Sequence, residues 1–259
     1  MTRRDADVTD DRAIRQLVVK VAPAVIINCT GFNDVDGAED APSAALAVNA
    51  FAVRTLARAA EDCGATLVHY STDFVFDGNG GSAYDESVRP CPRSTYAMTK
   101  LLGEWFALDA PGAFVLRVES LFGSPEGWTG RRGTLDGIVA SLRTGREQPV
   151  FTDRVVSPSY SLDVAAATRH LLDTAAAPGL YHCVNSGQAT WHAIAEEAAR
   201  LLDVQPRLRL MTMDQVKTRA ARPRFCALSN ARLAAAGHVM PSWQDALARW
   251  LGTAPRTAQ

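Results

Sequence analysis

The chain has 259 residues, enough for a full hydrophobic core and a second, smaller lobe. Its 47% hydrophobic and 21% charged residues are ordinary for a globular protein, and a net charge of −1 leaves no basic face for nucleic acid. No apolar run reaches the roughly 18 residues that a membrane span needs. The polar start and five scattered cysteines, without metal-ligand spacing, predict a cytoplasmic protein with reduced thiols.

Apolar runs alternate with helical patterns along the chain, which predicts a parallel sheet covered by helices. The apolar runs predict strands at 25–28, 67–71, 114–117 and 180–184. Helical periodicity predicts helices at 10–21, 41–64, 96–108, 136–143, 161–174, 190–202 and 243–251. The glycines and proline of 123–133 predict a loop. The elements thus indicate one sheet whose strands are joined by helical crossovers.

Tyr96 and Lys100 stand four residues apart in a predicted helix, so their side chains share one face. A nearby ammonium favours the ionised phenol, which predicts a pKa of Tyr96 lowered towards neutrality. Such a tyrosine can donate a proton to a carbonyl oxygen while hydride arrives at the carbon. The spacing alone also occurs by chance on solvated helices. It gains weight from Ser71, Thr72 and Asp73, which close the preceding predicted strand.

A hydroxyl at a strand end, followed by a helix with this tyrosine and lysine, resembles the short-chain dehydrogenase/reductase superfamily. Further motifs resemble one branch of it, the dTDP-4-dehydrorhamnose reductase family. The resemblance runs from about residue 6 to about residue 251, and many landmarks follow in the family's order. These landmarks are the segments 25–39, 48–50, 69–78, 179–182, 222–224 and 228–230, with Trp243 and Leu247.

The resemblance implies an α/β fold, a doubly wound parallel sheet of Rossmann type with a smaller C-terminal substrate lobe. Residues 1–122 would form the dinucleotide-binding domain, with return segments near 151–185, and 123–259 would form mainly the substrate lobe. Such a domain opens with a strand, a glycine-rich turn and a helix, yet the first glycine here is Gly31. We therefore expect an N-terminally truncated domain that lacks its first strand and glycine-rich loop and binds a nicotinamide cofactor weakly. A start codon assigned too late and a genuine short form both remain open.

The resemblance also implies roles for residues at matching positions. Tyr96 would donate the proton, Lys100 would support it and bind the nicotinamide ribose, and Thr72 would bind the substrate carbonyl. The remaining implied cofactor contacts are Asp7, Val8, Cys29, Thr30, Gly31, Phe32, Asn49 and Ser71, and the implied substrate contacts are Asp73, Ser120 and Arg222. The cofactor would be NADPH or NADH, with Arg3 and Arg4 near a 2′-phosphate and Arg224 near a diphosphate, and no metal is implied.

The predicted function is NADPH-dependent reduction of the 4-keto group of a nucleotide-linked 6-deoxysugar, with a homodimer as the possible assembly. Two departures leave the particular sugar open. Ser120 stands where the family commonly has a tryptophan, and 152–159 differs from a family loop. The alternative is a non-catalytic regulatory subunit resembling the beta subunit of methionine adenosyltransferase. A sugar dehydratase is disfavoured because Phe74 follows Asp73 where dehydratases carry glutamate.

Overall fold

The computed structural model describes residues 5–123 and 133–252 and shows an α/β fold. Its strands are, in chain order, β1 (Val25–Asn28), β2 (Thr66–Thr72), β3 (Phe114–Val118), β4 (Leu121–Phe122), β5 (Gln148–Phe151), β6 (Val155–Val156), β7 (Ser159–Tyr160), β8 (Gly179–His182), β9 (Ala189–Thr190) and β10 (Leu208–Met211). Within the described ranges, the largest sheet has four parallel strands in the order β1-β2-β3-β8. The predicted α/β class and parallel sheet are confirmed.

Helices flank this sheet and connect its strands. They are α1 (Asp11–Val21), α2 (Val35–Asp40), α3 (Pro42–Leu46), α4 (Ala52–Cys63), α5 (Thr95–Leu108), α6 (Thr134–Thr144), α7 (Ser161–Asp173), α8 (Trp191–Leu201), α9 (Ala231–Ala235) and α10 (Trp243–Leu251). A π turn, Ala47–Phe51, joins α3 to α4, and 3₁₀ turns occupy Asp73–Val75 and Met213–Gln215. Among the described residues, no helix has both the length and the apolar character needed to cross a membrane.

β2 and β3 are the two central strands of the sheet. Every residue of β3 is buried, as expected for a parallel strand that is covered on both faces. β2 pairs with β3 from Val68 opposite Phe114 to Thr72 opposite Val118, so both strands end at the same edge. β1 lies at one side of the sheet, where Ile27 is 49% exposed. The carboxyl ends of β2 and β3 are therefore held firmly by the surrounding structure, and we expect a functional site at this edge.

Two separate groups of apolar side chains stabilise the protein. One fills the space between the sheet and its helices and includes Val53, Leu67 and Val115. The other lies among α6, α8 and α10 and includes Ile194 and Leu247. Because the second group is built from C-terminal elements, it supports our proposal that 123–259 forms mainly a separate lobe.

The predicted elements agree with the structure to within three residues at each end, except for the long helix 41–64, which the π turn interrupts. The periodicity analysis missed α2, α9 and the short strands, because these segments are too short for an apolar period to show. The predicted loop 123–133 lies almost wholly outside the described residues. All five cysteines are free, as predicted.

Candidate active site

A cavity of about 440 Å³ opens at the carboxyl ends of β2 and β3. This is the edge at which open α/β sheets bind their ligands. Side chains from the loop after β1, from β2, from α5 and from the segment after β3 meet there. The lining includes eight of the sequence-predicted site residues: Cys29, Thr30, Ser71, Thr72, Asp73, Tyr96, Lys100 and Ser120.

Tyr96 lies in the first turn of α5, whose start is fixed by Ser94 accepting a hydrogen bond from the Ala97 N–H. Its ring meets Phe74 edge-on at a centroid distance of 5.6 Å, and the Thr72 side chain is close enough to its hydroxyl to favour the ionised form. Burial raises the pKa of Tyr96 to about 12, and the nearby Asp73 carboxyl adds to that rise. The predicted lowering of this pKa is wrong, because desolvation outweighs any effect of the lysine one turn away.

Lys100 is buried one turn further along α5 and also lines the cavity. Its Nζ donates to the backbone oxygen of Tyr70 at 2.6 Å, so the ammonium is held against β2. Burial lowers the pKa of Lys100 to about 8, although the Glu104 carboxylate opposes the shift. The lysine can therefore change its protonation state near neutral pH.

Thr72 and Ser71 end β2 but point their hydroxyls to different partners. Thr72 Oγ1 donates to Asp73 Oδ1 at 3.0 Å and accepts from the Phe74 N–H at 3.2 Å. Ser71 Oγ donates to Glu104 Oε1 at 2.5 Å. Because successive side chains of a strand point in opposite directions, Thr72 faces Tyr96, whereas Ser71 contacts Glu104 of α5.

Asn49 holds the loop that follows β1. Its Oδ1 accepts from the Phe32 N–H at 2.8 Å, and its Nδ2 donates to the Phe32 oxygen and to Thr99 Oγ1. Cys29 and Thr30 of this loop line the cavity, while Gly31 and Phe32 lie beside its lining. The loop is thus anchored to α5, the helix that also carries Tyr96.

Three further sequence-predicted residues are not brought to the cavity. Asp7 accepts hydrogen bonds from Thr9, and Val8 packs against the sheet core. Arg222 forms an ion pair with Asp36 at 2.6 Å, which holds the pKa of that carboxyl at about 2. Their implied contacts with cofactor and substrate stay predictions.

Three arginines remain among the predicted nucleotide contacts. Arg224 forms ion pairs with Asp153 and Asp214. Arg3 and Arg4 lie outside the described residues.

One residue of the cavity wall, Glu119, was given no role in the prediction from sequence motifs. Glu119 follows β3, lines the cavity and is 2% exposed. Its Oε2 accepts from the Ser157 N–H at 2.6 Å, and burial together with Asp73 raises its pKa well above the usual value. The available signal was a carboxylate two positions after the predicted strand 114–117, at its carboxyl end.

The parallel sheet, with tyrosine, lysine and threonine side chains at its carboxyl edge, defines an NAD(P)H-dependent reductase of nucleotide sugars. The family described as "RmlD substrate binding domain" matches residues 1–255. The chain therefore belongs to this family, that of the dTDP-4-dehydrorhamnose reductases, as its sequence motifs predict.

Individual relatives agree with this assignment. The chain is 34% identical to a dTDP-4-dehydrorhamnose reductase of Streptomyces griseus over 95% of its own length and 82% of the relative's. It is 32% identical to a probable low-salt glycan biosynthesis reductase of Haloferax volcanii, over 93% and 81% of the two chains. A crystal structure of dTDP-4-dehydrorhamnose reductase from Bacillus anthracis in complex with NADP is 28% identical, with a TM-score of 0.91 over 98% of this chain and 89% of that one.

Proposed function

We propose that this protein reduces the 4-keto group of a nucleotide-linked 6-deoxysugar with NADPH. One observation carries the proposal: Tyr96 and Thr72 both line the cavity that Lys100 also lines, and their side chains are close enough for Thr72 to shift the pKa of Tyr96. Two adjacent O–H donors are suited to a single carbonyl oxygen, whose negative charge grows as it is reduced. The names of the relatives, which are reductases of 4-keto sugars, support this substrate class.

The nicotinamide cofactor supplies hydride when it is bound. Thr72 orients the substrate by donating a hydrogen bond to the carbonyl oxygen. Tyr96 donates its proton to that oxygen, and because the pKa of Tyr96 is about 12, the phenol starts each cycle protonated. Lys100 holds a positive charge beside the phenolate that this transfer leaves behind, which lowers the energy of the charged state.

The residues present fit the nicotinamide end of the cofactor. Cys29 and Thr30 form the wall facing Lys100, and Asn49 keeps their loop in place. NADPH rather than NADH is our proposal because the relative from Bacillus anthracis was crystallised with NADP.

Titration of the protein with NADPH, followed by NADPH oxidation in the presence of dTDP-4-keto-6-deoxyhexoses, tests the proposal. We expect Tyr96→Phe to bind NADPH and to lower kcat by about 10²- to 10⁴-fold. Tyr181→Phe is the matched control, because the Tyr181 hydroxyl donates to the Ala177 oxygen away from the cavity. Absence of both NADPH binding and turnover would favour the regulatory subunit instead.

A further inference from the structure

A buried polar cluster lies beside Thr72 and reaches the wall of the cavity. It consists of Asp73, Glu119, Cys226 and Arg154. One ligand atom from each of the first three lies within 4.8 Å of the others, and their exposures are 3%, 2% and 0%. The Arg154 guanidinium stacks over the Phe74 ring at 5.5 Å and approaches Cys226 Sγ at 4.0 Å. The cluster therefore combines two carboxyls, a thiol and a cation in the interior.

Three polar atoms of this cluster lack a hydrogen-bond partner among the described residues. Asp73 Oδ1 accepts from Thr72, and Glu119 Oε2 accepts from the Ser157 N–H. The second oxygens, Asp73 Oδ2 and Glu119 Oε1, and the Nε of Arg154 are buried without a partner. Buried polar atoms normally find partners, and a proton held by one of the two carboxyls gives this pair of acceptors a donor.

Charge balance identifies that proton. Two ionised carboxylates this close in a desolvated site repel each other, so one of them takes up a proton. Burial raises the pKa of Asp73 and raises that of Glu119 further, in spite of the opposing Arg154. A divalent metal is disfavoured because the Arg154 guanidinium already supplies the positive charge. Burial also keeps the Cys226 thiol protonated by raising its pKa.

We propose that the Asp73–Glu119 pair stores the proton that resupplies Tyr96, with Thr72 as the bridge. This inference rests on the proposed reductase function. The route runs from Tyr96 to the neighbouring Thr72 side chain and on to Asp73, whose Oδ1 accepts a hydrogen bond from Thr72 Oγ1 at 3.0 Å. One carboxyl oxygen of Glu119 lies within 4.8 Å of one of Asp73, a distance that a single bridging water would span. Glu119 acts on Tyr96 through Asp73 and is a positioning residue.

The proton balance closes over one cycle. Reduction breaks the Tyr96 O–H bond and forms the O–H bond of the product alcohol. Glu119 protonates Asp73, the Thr72 hydroxyl turns from Asp73 Oδ1 to the Tyr96 phenolate and gives it its proton, and Asp73 then protonates Thr72. The carboxyl pair is left without a proton, partly balanced by Arg154, until solvent refills it. No oxidant or reductant beyond the hydride donor enters this sequence.

Glu119→Gln tests the proposal because it keeps the size of the side chain but removes the exchangeable acid. The first readout is the infrared C=O band of a protonated carboxylic acid, measured at pH 7 on protein without cofactor. We expect this band in the wild-type protein and its loss in Glu119→Gln. Glu86→Gln is the matched control, since Glu86 is a half-buried carboxyl that accepts from the His182 N–H and does not line the cavity.

The second readout is kinetic. We expect Glu119→Gln to lower kcat by about tenfold, with an unchanged KM, a larger solvent deuterium isotope effect and a steeper loss of rate with rising pH. Glu119→Asp retains the acid, and we expect it to keep the band and most of the rate. The Glu119→Asp variant also provides a test of the proposal if Glu119→Gln fails to fold.

Two outcomes would overturn the proton store: a wild-type protein without the band, or a Glu119→Gln variant with wild-type kcat and isotope effect. A wild-type protein that shows the band but reduces no 4-keto sugar would refute the proposed function instead, and with it the role of the stored proton.

Discussion

Arg117 of β3 and Glu104 of α5 form a two-pronged ion pair in the interior. Arg117 Nη2 lies 2.7 Å from Glu104 Oε2 and Nε lies 2.8 Å from Oε1, and both side chains are 2% exposed. Ser71 Oγ donates to the same carboxylate, and the guanidinium also stacks on Phe76 at 5.0 Å. The pair therefore fixes the helix that carries Tyr96 to the two central strands of the sheet.

Removing one charge of this pair should be costly. Glu104→Gln keeps the shape but leaves the buried guanidinium without a counter-charge, so we expect the free energy of unfolding to fall by about 3 to 5 kcal/mol. Urea denaturation followed by circular dichroism measures it. Glu197→Gln removes an exposed pair with Arg200, and we expect no measurable change. Equal urea midpoints for both variants would show that the buried pair is dispensable.

The buried lysine predicts a stability that rises with pH. Lys100 has a folded-state pKa of about 8 against 10.5 for a free lysine, so between these values the unfolded chain binds more protons than the folded one. From pH 7.5 to 9.5 we expect the wild-type protein to gain about 2 kcal/mol relative to Lys100→Met. Tyr70 and Tyr96, with pKa values raised to about 12, oppose this trend only above pH 10. Parallel urea midpoints for the two proteins across this range would contradict the shift.

Gly103 marks the closest approach of α5 to the π turn. A Cβ at this position would overlap the backbone oxygen of Asn49, which cannot move without releasing its loop. We expect Gly103→Ala to destabilise the protein by about 2 to 3 kcal/mol. Gly137→Ala is the control, since Gly137 lies in α6 with open space around it, and we expect a gain of about 0.5 to 1 kcal/mol. Thermal unfolding measures the stability of both variants. A Gly103→Ala variant with unchanged stability would show that α5 and the π turn can move apart.

Ser120 has left-handed backbone geometry, with φ of 44°, at the wall of the cavity. Non-glycine residues are strained in this region, so we expect Ser120→Gly to raise the free energy of unfolding by about 0.5 to 1 kcal/mol. Ser120→Ala keeps the strain and should give no gain, which separates backbone strain from loss of the hydroxyl. Denaturant midpoints measure both variants, and equal effects of glycine and alanine would contradict the argument.

The sequence predicts those parts of the molecule in which local pattern and burial agree. The run 67–71 is apolar enough to require a covered strand, and the 96–108 segment has the helical spacing that brings Tyr96 and Lys100 to one face. Both elements have the expected boundaries within one residue. Family landmarks then predicted which strand ends and loops would meet in the cavity.

What local pattern could not predict depends on side-chain direction and on partners far away in the chain. The lysine donates to the backbone of β2, so burial decides the pKa of the tyrosine. Glu119 and Arg154 are 35 positions apart, and only the fold brings them together around Asp73. Neither the contact of the lysine with β2 nor the cluster around Asp73 can be inferred from spacing along the sequence.

The π turn Ala47–Phe51 sets the length of chain between two differently packed helical segments. Ala45, before the turn, packs in the small cluster that contains Tyr96, whereas Val53, after it, packs in the core beneath the sheet. An α-helix of the same length would rotate the second segment by about a quarter-turn or more relative to the first. The π turn thus sets the rotation of α4 relative to α3. Deletion or insertion of a single residue here would change that rotation, so the segment that packs near Tyr96 and the segment that packs beneath the sheet could no longer both bury their apolar faces. The residues that line the cavity would all still be present.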